Sequence, residues 1–195
     1  DVETTTVDGQ VIRNATPVDE SWATIIAAAG TFAQDSATDM EVYAESGPTT
    51  NEWKRIRRII TLFDTSALTA NATITAATLS LNGSAKSDGL AVTPTIDIYT
   101  STPATNVALI STDYGQIGTV SQTGAAMSYA TWSGTVYNDF TLDATGRGNV
   151  SKTSISKFAA RNANYDVAAV APTWSASATF NLQADTADVV GTTKD

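Results

Sequence analysis

The stretch Trp53-Lys54-Arg55-Ile56-Arg57-Arg58-Ile59-Ile60-Thr61-Leu62-Phe63-Asp64 decides the class of fold. Its second half, Ile59 to Phe63, is apolar on both alternating faces and rich in β-branched residues, as expected of a central strand covered on both sides. Its first half carries Lys54, Arg55, Arg57 and Arg58, four of the eleven basic residues in the chain. Such a run is open to two readings, a protease or anion-binding stripe on one hand and the ordinary charges of a strand on the other. Strand alternation splits the four charges between two faces, where acidic partners meet them and edge pairing is discouraged. The second reading is preferred. Arg58, which leads into the apolar half, is expected to be buried in part and paired with a carboxylate.

Strand-like windows recur on both sides of this segment, separated by Gly, Pro, Asn, Asp and Ser clusters. They are Val7 to Ile12, Met40 to Glu45, Thr73 to Leu81, Thr95 to Tyr99, Thr135 to Leu142, Ile155 to Arg161 and Thr179 to Gln183. Asn82-Gly83 reads as a turn after the third of these. Asp19 to Ala29 breaks the alternation, with Asp19 as cap, Trp22, Ile25 and Ile26 on one face, and Gly30 as the stop, which predicts a short helix. Asp143 to Lys152 has room for one helical turn, and Val167 to Ala171 leans towards loop or strand. Thr102 to Trp132 is long and polar, with one short strand expected at Ile117 to Val120; loops of this length often carry function. The pattern predicts an all-β chain, a two-sheet antiparallel β-sandwich of jelly-roll type with one or two short helices, forming one domain over residues 1–195.

Composition narrows the chemistry. The 195 residues are 42% hydrophobic, enough for a core, and Thr is the most frequent residue. The net charge of −9 argues against nucleic acid and anionic membrane surfaces as partners. With no Cys and no His, disulfides, zinc fingers, thiol catalysis and Ser-His-Asp triads are excluded. No stretch has the length of a membrane-spanning helix. Sequons at Asn14, Asn71, Asn82 and Asn149 are of the kind that arise by chance in a chain rich in Asn and Thr.

Arg58 to Leu68 followed by Ala72 to Leu81 has the rhythm R…L.FD.S.L…I..A.L.L, and Tyr137 to Leu142 followed by Ile155 to Arg161 continues it. This resembles the core of the disaggregatase-related, or DNRLRE-type, β-sandwich domains of prokaryotic surface proteins and tailed-phage structural proteins. The resemblance spans the middle and end of the chain and implies a carbohydrate-binding-like sandwich. It also implies a last strand starting at Asp195, so that the chain is expected to be part of a longer chain or assembly.

Three functions remain in play. The first is a non-enzymatic structural or adhesive module of a phage particle or prokaryotic cell surface, working in a virion or extracellular setting as a homo-oligomer among protein subunits. The second is a carbohydrate-binding module of a larger polysaccharide-active enzyme. Its sugar platform is expected at Tyr129 and Trp132, which flank the long loop, with Tyr114 behind them, because a flat ring covers the apolar face of a pyranose. The third is an acid-base glycan-processing enzyme, for which Asp139 with Asp143, or Asp185 with Asp188, would be the carboxylate pair. No cofactor is required by any of them. Calcium, which needs only oxygen ligands, has weak candidates in Asp185 and Asp188 and in Asp35 with Asp39.

Overall fold

A computed structural model describes residues 5–189. The long segment forms the strand β5 (Glu52–Asp64), and the rest of the molecule is arranged around it. Before it come β1 (Asp8–Asn14), β2 (Glu20–Ser21), β3 (Phe32–Gln34) and β4 (Asp39–Ser46), with a helix α1 (Trp22–Ala27) between β2 and β3. After it come β6 (Thr78–Asp88), β7 (Thr95–Thr100), β8 (Met127–Ser128), β9 (Tyr137–Thr141), β10 (Ile155–Asn162) and β11 (Thr179–Asp185), with a one-turn helix α2 (Ala144–Gly148) before β10.

Every pairing is antiparallel, and β5 is the strand common to both layers. One of its edges takes β1 and β2, with Gln10 opposite Ile59 and Glu20 opposite Trp53. Its other edge is shared, taking β4 in the first half (Ala44 opposite Ile56) and β10 in the second (Ala160 opposite Ile59). The sheet forks there. One branch runs through β10 to β7 and β8, the other through β4 to β11, β6 and β9. The far edge is drawn back towards the first branch, because Leu142 bridges Thr123 and the Gln122 N–H donates to the Ile98 carbonyl at 2.9 Å. The result is the expected two-layered antiparallel β-sandwich, with a sheet that nearly closes.

The burial pattern explains the forked strand. Ile56, Ile59, Ile60 and Leu62 are all buried, so both faces of the second half are covered. Arg58 also lies inside, among apolar neighbours. Its Nε and Nη2 donate to both oxygens of Asp166 at 2.8 and 2.6 Å, and Arg161 grips the same carboxylate at 2.9 and 2.8 Å. The Tyr114 ring lies 3.8 Å beneath the Arg58 guanidinium. Burial alone would raise the Asp166 carboxyl, but the two guanidiniums outweigh it and hold it below the usual carboxylate range. The expected carboxylate partner of Arg58 is thus Asp166, presented by a π-helical turn, Ala163–Val167, whose first N–H groups are capped by Asn162. The rest of the basic run is also met by acids. Lys54 and Arg55 pair with Glu45, and Arg57 pairs with Glu41.

Several sequence expectations are corrected. The helix expected over 19–29 spans only Trp22–Ala27, and its cap is Ser21, whose Oγ accepts the Thr24 N–H; Asp19 packs instead against the turn at Gly47. Asn82-Gly83 is no turn. β6 starts at Thr78 and runs on through the pair, with a shift of register against β11 between Ala85 and Gly83, and the Ser133 carbonyl lies so close that a Cβ on Gly83 would sit 1.8 Å from it. Gly serves here for close approach of another chain segment. The strand expected at 117–120 reduces to a single bridge between Ile117 and Ser101. The strand implied to start at Asp195 lies outside the described residues.

Candidate functional site

The aromatic platform expected on the long loop does not form. Tyr114 is 0% exposed, with its ring under Arg58 and its hydroxyl donating to the Ile25 carbonyl at 3.0 Å. Trp132 is 1% exposed, because a tight turn donating from its N–H to the Ser128 carbonyl folds it inward, and its Nε1 donates to the Ala85 carbonyl. A ring with no open face cannot stack on a sugar. Tyr129 is half-buried, and the Lys86 ammonium sits 4.9 Å from its ring centroid while donating to the Tyr129 and Trp132 carbonyls. All three residues belong to the packing of the fold.

The concavity that does form lies elsewhere, where the two branches of the fork diverge. A cleft of about 780 Å³ opens between the ends of β5 and β10 on one side and β6, β9 and the end of β11 on the other. Leu79, Leu81 and Phe158 form its buried apolar floor. The rim is polar, with Thr65, Thr78, Ser80 and Asn82 among its lining groups, and Thr61 and Ser156 add buried hydroxyls below it. Besides Phe158, two aromatic rings line it, Phe63 from β5 and Tyr137 from β9; Phe63 is 39% exposed, although it closes a strongly apolar run. Some of the rim is pre-oriented. Thr65 and Ser156 share a hydrogen bond of 2.6 Å, Ser80 Oγ donates to Asp139 at 2.6 Å, and Asn82 Nδ2 donates to Asp185 at 2.9 Å.

Among the described residues three carboxylates line the cleft, Asp8, Asp64 and Asp185, and no Lys or Arg does. Asp8 is the deepest. Burial pushes its carboxyl up to about 6, the Ala187 N–H bound to its Oδ2 at 2.9 Å works against that rise, and the nearby charge of Asp188 adds to it. An acid raised in the fold is protonated in both folded and unfolded chains below its unfolded value of 3.8, and costs nothing there. The cost of ionising it inside the fold grows as pH rises from there and is complete above about 6. Asp8→Asn keeps an acceptor for Ala187 and removes that charge. The variant should exceed the parent in stability at pH 8 by on the order of 1–3 kcal/mol, with the gap closing below pH 4. Urea melts at the two pH values check this; an equal difference at both would refute it.

The other carboxylate pairs named from sequence are not assembled into a site. Asp139 accepts from Ser80, and Asp143 caps α2 by accepting the Gly146 N–H. Of the calcium candidates, Asp35 is engaged by the Leu109 N–H and Asp185 by Asn82, and among the described residues no three acidic groups converge on one point. Sequence reading missed Asp8 and Phe63 as cleft residues. Phe63 had one signal, a large ring at the end of a run that was already apolar on both faces. No protein-family model, curated protein or solved structure matches the chain.

Proposed function

We propose that this domain is a non-enzymatic adhesive module of a phage particle or prokaryotic cell surface, and that the cleft at the fork of β5 is where it adheres, to a glycan. The observation that carries the reading is the pairing of an apolar floor and an exposed Phe63 ring with a rim of hydroxyl, amide and carboxylate groups. Saccharides ask for this combination, since their C–H faces pack on apolar surface while their hydroxyls need directed partners. The resemblance to carbohydrate-binding-like sandwiches of virion and surface proteins points the same way, as does the acidic, His-free and Cys-free composition. A carbohydrate-binding module of a larger enzyme would use the same cleft.

Phe63→Ala tests the site with little risk to the fold, because the ring is partly exposed at a strand end. On a glycan array the parent should bind a defined set of saccharides, and the variant should lose about two- to tenfold in affinity for them, the scale of a stacking contact. Unchanged binding by the variant would remove the cleft from the account. A second reading, acid-base processing of the same ligand, is favoured by the raised Asp8 carboxyl beside Asp64 and Asp185. Release of new reducing ends by the parent, abolished in Asp8→Asn, would replace adhesion with that reading.

A further inference from the structure

We propose that Asn82-Gly83 is a deamidation site that the fold holds closed, and that it reacts only when β6 leaves the sheet. The pair is the one Asn-Gly step in the chain. In an unstructured peptide such a step is among the most labile amides, because Gly has no side chain to shield its own nitrogen. The Gly83 nitrogen gives up its proton to solvent and attacks Asn82 Cγ, the Cγ–Nδ2 bond breaks, and ammonia leaves. The five-membered succinimide then takes up water at either carbonyl. One opening gives aspartate. The other gives isoaspartate, whose main chain runs through the side-chain carbon and is one atom longer. The proposal stands whatever the neighbouring cleft binds.

The fold asks for both residues. A Cβ at position 83 would sit 1.8 Å from the Ser133 carbonyl oxygen and 2.7 Å from Asn138 Nδ2, so the site requires Gly. Asn82 Nδ2 donates to Asp185 at 2.9 Å and ties β6 to β11. The same surroundings suppress the reaction. The Gly83 N–H is engaged by the Val136 carbonyl at 3.0 Å, and the amide that would leave is held by Asp185. Asn82 lies opposite Tyr137 of β9 and Gly83 opposite Ala184 of β11, so the pair sits where β6 passes from one ladder to the other. An extended backbone also carries the Gly83 nitrogen away from Cγ, and attack needs a rotation that both ladders oppose. Reaction is thereby tied to opening of the strand. It is also irreversible in its effect. Isoaspartate puts the residues beyond it out of step with their partners, and aspartate sets a second carboxylate against Asp185 where a hydrogen bond stood. The step therefore records each opening that lasts long enough to react.

The experiment incubates the full chain at mildly alkaline pH, in buffer and in urea above its unfolding midpoint. Peptide mapping and enzymatic methylation of isoaspartate follow residues 82 and 83. Isoaspartate is expected at position 82 in urea, with formation at least about a hundredfold slower in buffer, since only the opened fraction reacts. Asn82→Gln, which keeps the amide but cannot close a five-membered ring, should stay unmodified in urea over the same period. After the urea is removed, the modified fraction should unfold at a lower urea concentration than a parent sample unfolded only briefly. No modification in urea overturns the site, and equal rates in urea and buffer overturn its closure by the fold. A modified chain that refolds to the parent's midpoint overturns the record of opening.

Discussion

Asp166→Ala should destabilise the domain by about 3–5 kcal/mol, the cost of leaving buried guanidinium groups without their counter-charge. Arg58 and Arg161 both direct two donors at this one carboxylate, and both are almost fully buried. Neither can reach water without dragging β5 or β10 with it, and β5 is the shared strand of both layers. For a domain of this size the loss corresponds to a fall in melting temperature on the order of 10 °C. Calorimetry checks it, and a change below about 1 kcal/mol would show that water or backbone carbonyls satisfy the two arginines unaided. Asp166→Asn, which keeps the shape but not the charge, should recover only part of the loss. The effect carries a pH signature opposite to that of Asp8. A carboxyl held low in the fold contributes its stability above its unfolded value and loses it as pH falls through the folded one, so acid erodes the parent but leaves Asp166→Ala unaffected at this site.

Trp53→Ala should cost a similar amount, about 3–5 kcal/mol, through the cavity it leaves. Trp53 is among the largest fully buried side chains, and its ring meets Trp22 edge to face at a centroid distance of 4.7 Å. Trp22 is the first residue of α1, and its Nε1 donates to the Tyr165 carbonyl in the π-helical turn that presents Asp166. Removing Trp53 therefore loosens the helix that covers one side of β5 and, through it, the neighbourhood of the buried ion cluster. The midpoint of urea denaturation should fall with little change in slope. A double variant of Trp53 and Asp166 should lose less than the sum of the two, since the residues share the Trp22 and Tyr165 contacts.

The fold was legible where alternation and burial coincide. The run from Trp53 to Asp64 announces a central strand because both of its faces are apolar, and the buried Arg58 with an acidic partner follows from that placement. The partner was not legible, since Asp166 is 108 residues away and only the pairing of β10 with β5 brings it there. Local turn chemistry misled at Asn82-Gly83, where the Gly answers a distant backbone and not the path of its own strand. The aromatic site was misplaced for a related reason. A long polar loop with Tyr and Trp looks like a binding surface, but the apolar area of Trp132 and Tyr114 is better used in the core, and the exposed ring is instead Phe63. Asp8 could not be singled out among the acidic residues, because its burial depends on Ala187, at the other end of the chain.

The position of β11 has a consequence for how the chain is made. It lies between β4 and β6, paired with both along nearly its whole length, yet it is made after both of them. Until Thr179–Asp185 arrives, β4 and β6 each present an unpaired edge beside exposed apolar side chains such as Val42 and Leu81. A nascent or prematurely terminated chain is thus a pair of open edges with a strand-wide gap, prone to capture a strand from a neighbouring copy. β11 works as a keystone, and its insertion closes the gap between these two edges.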